Sequence, residues 1–215
     1  MEYLRPDEIR RFLAASPPEF YALFPTAVLT GARQGELLGL KRGDVDPERG
    51  LIFIRRTFHP SYGFVEPKSD YSRRAIKMSP ELVEILRAHL ECISGDADSL
   101  VFPNNAGHPH SHQNLVTRTF HPTLERAGLR KIRFHDLRHT YAAPMISLDA
   151  NPKVLQRQMG HSSIRVTMDT YGHLIPDVCD NRAWAGLDGL IFRDNIIPLS
   201  RDDGEDSGDD LGISG

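Results

Sequence analysis

Cysteine is close to absent from this chain: Cys92 and Cys179 stand far apart and outside any CxxC pair. That excludes a disulfide framework and a cysteine-based zinc site, and it points to a reducing, cytoplasmic compartment. Long apolar runs are missing too. No stretch approaches the roughly 20 apolar residues of a membrane span, so no membrane partner is expected. The opening MEYLRPDEIRRFL has acids where a secretory signal would have its apolar core. Nor is there a basic excess, since 26 Lys and Arg face 29 Asp and Glu for a net charge of −3. Any nucleic-acid face therefore has to be a local patch rather than a global field. The imbalance is uneven: residues 201–215 carry six acids and one arginine, and without them the body is about +2. One domain is expected over residues 1–195, followed by an acidic, glycine-rich and disordered tail over 196–215.

What is present reads mainly as helix. Pro6, with Ile9, Phe12 and Leu13 at helical spacing, gives a helix to about Ala15, which Pro17-Pro18 ends. A second helix covers 19–29, and after Gly31 a third carries Arg33, Glu36, Leu37 and Leu40. The character changes at Gly50. The segments LIFIRRTF (51–58), YGFV (62–65) and RRAIKM (73–78) read as the three strands of a small antiparallel sheet. Ser79-Pro80 caps a helix through Cys92, and a loop runs from Ser94 to about His110. Helices resume over roughly 112–128, 136–149 and 152–160 and around Tyr171, and an amphipathic segment with Trp184, Leu187 and Ile191 spans 177–191. The expected fold class is mainly α with a small three-stranded antiparallel sheet (α+β).

Four local motifs carry the chemistry: TGARQGELLGL (30–40), EPKSDYSRR (66–74), HDLRHTYAA (135–143) and MGHSSIRVTMDTYGHL (159–174). Arg33 and Glu36 share a helix face; taken alone, such a pair reads as an exposed salt bridge. His135 and Arg138 are also three apart, with His135 at the N-terminus of its helix, where anions bind well. His161 occupies a tight junction between two helices, and Tyr171 follows ten residues later. Cations near a tyrosine favour its phenolate and make it a usable nucleophile. Arginines suit bidentate contact with phosphate. Together these are the parts for attacking a phosphodiester without a metal.

In these motifs and their order the chain resembles the catalytic domain of the tyrosine recombinases, the phage-integrase family, over about residues 1–190. The resemblance implies the DNA breaking-rejoining fold of that family, and a role for each residue. Arg33 and Arg138 clamp the scissile phosphate. Lys68, in the turn between the second and third strands, protonates the leaving 5′ oxygen. His135 shuttles protons, His161 hydrogen-bonds the phosphate, and Tyr171 forms a 3′-phosphotyrosyl bond. Glu36 and His139 support the site. It implies site-specific recombination of double-stranded DNA, with no cofactor and in a tetrameric synapse of protomers. Two alternatives stand beside it: an inactive integrase-derived DNA-binding or assembly module, and a type IB topoisomerase-like nicking-closing enzyme. Arg55, Arg56, Arg73, Arg74 and Lys77 on the sheet, and Arg126, Arg130, Lys131 and Arg133 before the third motif, are candidate DNA contacts. His108, His110 and His112 lack metal-ligand spacing, so no metal site is expected.

Two departures from the family carry further expectations. The family's N-terminal DNA-clamping domain is not in this sequence, so poor autonomous DNA affinity and a monomer without DNA are expected. Pro144, six residues after Arg138, is expected to kink its helix and shift that arginine.

Overall fold

The computed structural model of the chain describes residues 2–66 and 72–174. Lys68, the segment 177–191 and the tail 196–215 lie outside the described residues.

Helix α1 (Pro6–Ala14) begins with Pro6 in its first turn, and the Glu8 carboxylate accepts the Arg5 N–H at 2.7 Å. It buries Phe12, whose ring lies 5.0 Å from Phe24 and 5.6 Å from Phe120. The helix expected over 19–29 is a short 3-10 turn (Pro18–Phe20) followed by α2 (Leu23–Thr30), buried along nearly its whole length. Gly31 ends α2 and leads into the short α3 (Gln34–Leu38).

The three-stranded sheet exists, but its membership differs from the expectation. Strand β2 (Leu51–Ile54) is central and pairs antiparallel with β1 (Val45–Asp46) and with β5 (Arg74–Lys77), setting Ile52 opposite both Val45 and Ile76. The 62–65 strand belongs instead to a separate hairpin, β3 (Thr57–His59) with β4 (Gly63–Val65), in which Phe58 opposes Phe64. The run 51–58 breaks at Arg55-Arg56, and both guanidiniums turn onto the buried carboxylate of Asp44. Consecutive strand residues point to opposite faces, so two neighbours reach one carboxylate only where the strand is interrupted.

The hairpin rests directly on α3. A methyl group on Gly35 would lie 2.5 Å from Thr57 Oγ1 and 2.7 Å from the Phe58 carbonyl. Gly35→Ala is therefore expected to push the hairpin off α3 and to destabilise the fold by about 2 kcal/mol. Urea denaturation checks this, and an unchanged midpoint would contradict it.

Helix α4 (Pro80–Cys92) starts where Ser79 Oγ accepts the Leu82 N–H, and it turns Leu82 and Leu86 inward. The loop from Ser94 buries Val101 and Phe102. The helix expected over 112–128 runs as α5 (His112–Asn114), a wider π-turn (Leu115–Phe120) and α6 (His121–Arg126). Pro122 has no N–H to give the preceding turn, and just ahead of it the His121 N–H reaches back five residues to the Val116 carbonyl.

Helices α7 (Asp136–Ser147), α8 (Pro152–Met159) and α9 (Ile164–Tyr171) follow, and a 3-10 turn closes the described residues at Leu174. They enclose a small second core of Tyr141, Ala142, Ile146, Leu155, Met159 and Tyr171, apart from the main core around Phe12, Phe24, Ile76 and Phe120. Pro144 lies inside α7, which runs on unbroken to Ser147. Its ring faces the carbonyl four residues back, that of Thr140, two positions beyond Arg138. The turn that carries Arg138 is thus upstream of the disturbance.

Candidate active site

Three arginines, from three distant parts of the chain, end on three consecutive carbonyls. Arg74 Nε donates to the Gln158 carbonyl at 2.7 Å, Arg138 Nη2 to that of Met159, and Arg33 Nη2 to that of Gly160 at 3.1 Å. These carbonyls close α8, where a helix leaves its acceptors without internal partners and carries the negative end of its dipole. Guanidiniums collect there for that reason.

Glu36 ties the arrangement to α3. It accepts the Arg33 N–H and Nη1, both at 2.8 Å, and the forked Nη1 and Nη2 of Arg74, both at 2.9 Å. The carboxylate is buried, so the pair is not the exposed salt bridge that its spacing alone implies. Burial opposes its ionisation, but the Arg74 fork and the charges of Arg74 and Arg33 outweigh that and hold its pKa at about 2.

Arg138 is 4% exposed and also donates Nη1 to the Gly31 carbonyl at 2.6 Å. Burial, with the neighbouring charges of Arg33 and Arg74, lowers its pKa to about 9, so it remains a cation at neutral pH. Arg33 keeps 41% of its side chain exposed. Among the described residues, Arg33 and Arg74 share the carboxylate of Glu36, while Arg138 meets only main-chain oxygens, which leaves the cluster in want of an anion.

Beside the arginines runs a row of rings. The centroids of His135 and His139 are 5.5 Å apart, those of His139 and Tyr171 5.6 Å, and those of Tyr171 and His161 6.4 Å. His135 caps α7 and is exposed; partial desolvation and the charges of Arg138 and Arg133 hold its pKa below the usual histidine value. His139 Nδ1 is hydrogen-bonded to the Tyr171 hydroxyl at 2.8 Å, and its Nε2 lies 3.9 Å from the buried Asp136 carboxylate. His161 sits at the end of α8, its Nδ1 2.8 Å from Thr167 Oγ1. Tyr171, 1% exposed, is pushed up to about 12 by burial, although Arg138 pulls the other way. The expectation that nearby cations favour the phenolate is corrected here: in this state the phenol is packed in the second core, and desolvation wins.

Burial and the surrounding cations bring both His139 and His161 down to about 4. Their folded pKa values lie below the unfolded value of about 6.5, so between pH 6.5 and 4 the unfolded chain binds more protons. The stability these rings contribute is complete above about pH 6.5 and is lost as pH falls towards 4. Urea midpoints are therefore expected to drop between pH 7 and pH 4.5, and to drop less in His139→Gln. A midpoint that held steady in the wild type would contradict this.

The sequence-predicted basic contacts are distributed differently. Arg74 is not on the surface: its side chain is 6% exposed and fully engaged on Glu36 and Gln158, because strand alternation places it on the inward face with Ile76. That alternation was the available signal for its role. Arg55 and Arg56 meet Asp44, Arg73 meets Glu66, Arg130 meets Glu2 and Glu8, and Arg133 meets Asp136. Arg126 bonds the Ala15 carbonyl, while Lys77 and Lys131 are exposed. Of the loop histidines, His110 packs on Phe20 and His112 Nε2 bonds the Phe58 carbonyl. Among the described residues no group of three side chains is placed to hold a metal ion, and no helix is long and apolar enough to cross a membrane.

Comparison with known proteins places the chain in a family. A model of the phage integrase family matches residues 2–176. The ICEBs1 integrase of Bacillus subtilis is 28% identical over 200 residues, 82% of this chain and 52% of that protein. A XerC-like tyrosine recombinase of Caldanaerobacter subterraneus is 31% identical over 179 residues, 72% of this chain and 46% of that protein. The chain spans about half the length of these curated relatives. Among solved structures, the Tn1549 transposon integrase in complex with circular-intermediate DNA shares the fold. Its TM-score is 0.71 and its identity 24%, over 88% of this chain and 67% of that one.

Proposed function

The chain belongs to the phage integrase family, and from that premise we propose that it is the catalytic domain of a site-specific tyrosine recombinase acting on double-stranded DNA. The observation that carries the reading is the convergence of Arg33 and Arg138 on adjacent carbonyls of α8, beside the ring row that contains Tyr171.

The two guanidiniums take the non-bridging oxygens of the scissile phosphate and stabilise the charge that in-line displacement gathers there. His161 adds a hydrogen bond to the same phosphate. Tyr171 Oη attacks phosphorus, the bond to the 5′ oxygen breaks, and a 3′-phosphotyrosyl bond forms. His135 carries off the phenolic proton, and Lys68 supplies one to the leaving 5′ oxygen. The phosphotyrosyl bond conserves the energy of the phosphodiester, so rejoining to a second duplex needs no ATP. Tyr171 is buried against His139; cleavage therefore requires α9 to move and this hydrogen bond to break. The working complex comprises duplex DNA and four protomers in a synapse, assembled in the cytoplasm from chains that are monomeric without DNA.

A suicide duplex, nicked beside the cleavage position and drawn from attachment sequences flanking the gene, tests the reading. A covalent protein–DNA band on a denaturing gel is expected with the wild type and none with Tyr171→Phe. Duplex binding without an adduct would overturn the enzymatic reading and leave a DNA-binding module.

A further inference from the structure

Arg74 has no part in the chemistry just described and, with its side chain buried, cannot be a surface contact to DNA. We propose that it is a positioning residue of the phosphate clamp: it fixes the orientation of Glu36 and the seat of the α8 terminus, and so sets the spacing of Arg33 and Arg138. The inference rests on the recombinase reading for what the clamp holds.

The geometry is reciprocal. Each oxygen of Glu36 is shared between two arginines. Oε1 takes Arg33 Nη1 at 2.8 Å and Arg74 Nη1 at 2.9 Å, while Oε2 takes the Arg33 main-chain N–H at 2.8 Å and Arg74 Nη2 at 2.9 Å. A carboxylate held by a planar fork has one orientation; held by Arg33 alone it can rotate. The third donor of Arg74, Nε, goes to the Gln158 carbonyl, adjacent to the Met159 carbonyl that anchors Arg138. One rigid guanidinium thus joins both halves of the clamp.

Two further contacts fix it in place. The Lys77 N–H of the same strand donates to Gln158 Oε1 at 3.0 Å, tying β5 to α8. Gly160, in the left-handed region at φ 65°, leaves room for the guanidinium face: a methyl group there would lie 2.7 Å from Arg74 Nη1 and 2.9 Å from Cζ. A third cation beside Arg33 and Arg138 is costly by repulsion, and an apolar residue would fill the inward face of β5 without that cost. What the arginine adds is direction.

Lysine at this position keeps the charge but cannot form the fork and the Nε bond together. Arg74→Lys is expected to leave duplex affinity within about twofold and to slow adduct formation on the suicide duplex about 50-fold, with binding saturated and well below the unfolding midpoint. Arg74→Gln, which keeps an amide donor at the position but cannot form the fork, is expected to act in the same direction and serves if the lysine variant does not fold. Orthovanadate binding, followed by NMR of the arginine Nε–Hε signals, gives an arm independent of cleavage; it is expected to weaken about tenfold in either variant. Wild-type rate and vanadate affinity in a folded variant would overturn the proposal, as would a rate loss that merely tracks the unfolded fraction. If the wild type binds the duplex but forms no adduct, the recombinase reading fails, and the vanadate arm alone decides the role of Arg74.

Discussion

Replacing Arg138 with lysine is expected to slow covalent adduct formation about a thousandfold and to lower the unfolding free energy by about 2 kcal/mol. Both effects have one origin. The guanidinium donates to the buried carbonyls of Gly31 and Met159 at once while its positive face stays among Arg33, Arg74 and Tyr171. A lysine ammonium is a point donor on a flexible stem and cannot serve two carbonyls and a phosphate from one place. One buried acceptor is then left without its partner, which accounts for the stability loss. The rate loss reflects a phosphate oxygen no longer met in the transition state. Suicide-substrate kinetics and urea denaturation read the two separately. Duplex affinity is expected to change little, because contacts along the DNA backbone far outnumber this one. Adduct formation at the wild-type rate would remove Arg138 from the clamp.

Glu36→Gln is the second large effect. The amide has the shape of the carboxylate but no charge, so Arg33, Arg74 and Arg138 are left as a cluster of cations, two of them buried. About 3 kcal/mol of stability is expected to go at pH 7. The pH dependence follows from the depressed carboxyl, about 2 against an ordinary 4.5. Its contribution is fully present above about pH 4.5 and disappears as pH falls towards 2. The wild-type and variant stability curves should therefore run parallel at neutral pH and converge near pH 2. Curves that stay apart in acid would mean that the charge of Glu36 is not the source of the loss.

Much of this was legible in the chain. The caps Pro6 and Ser79 located α1 and α4, and the local strings around Arg33, His135, Arg138, His161 and Tyr171 named residues that the fold brings together. What the sequence withheld was burial. Proximity of cations to Tyr171 could be inferred from motif order, but not that the phenol packs against Ile146, Leu155 and Met159, where desolvation dominates its pKa. The same holds for Arg74, whose neighbours in sequence are exposed and whose partners lie 38 and 84 positions away. Strand β1 is two residues long and carries no periodicity to detect. The break at Arg55-Arg56 depends on Asp44, a residue with no signature of its own.

The arginines meet main-chain oxygens at the end of α8, and this divides the kinds of change the site can absorb. No side chain of that helix is committed to holding Arg33 or Arg138, so replacements along α8 act on the clamp only through packing and through the Gln158 Oε1 bond to β5. Length is another matter. Each helical residue advances 1.5 Å and turns about 100°, so deleting or inserting one residue between Asn151 and Gly160 would present a different set of oxygens to all three guanidiniums together. Over evolutionary time such a site can drift in composition while its register stays frozen: the helix terminus works as a ruler whose markings are peptide bonds.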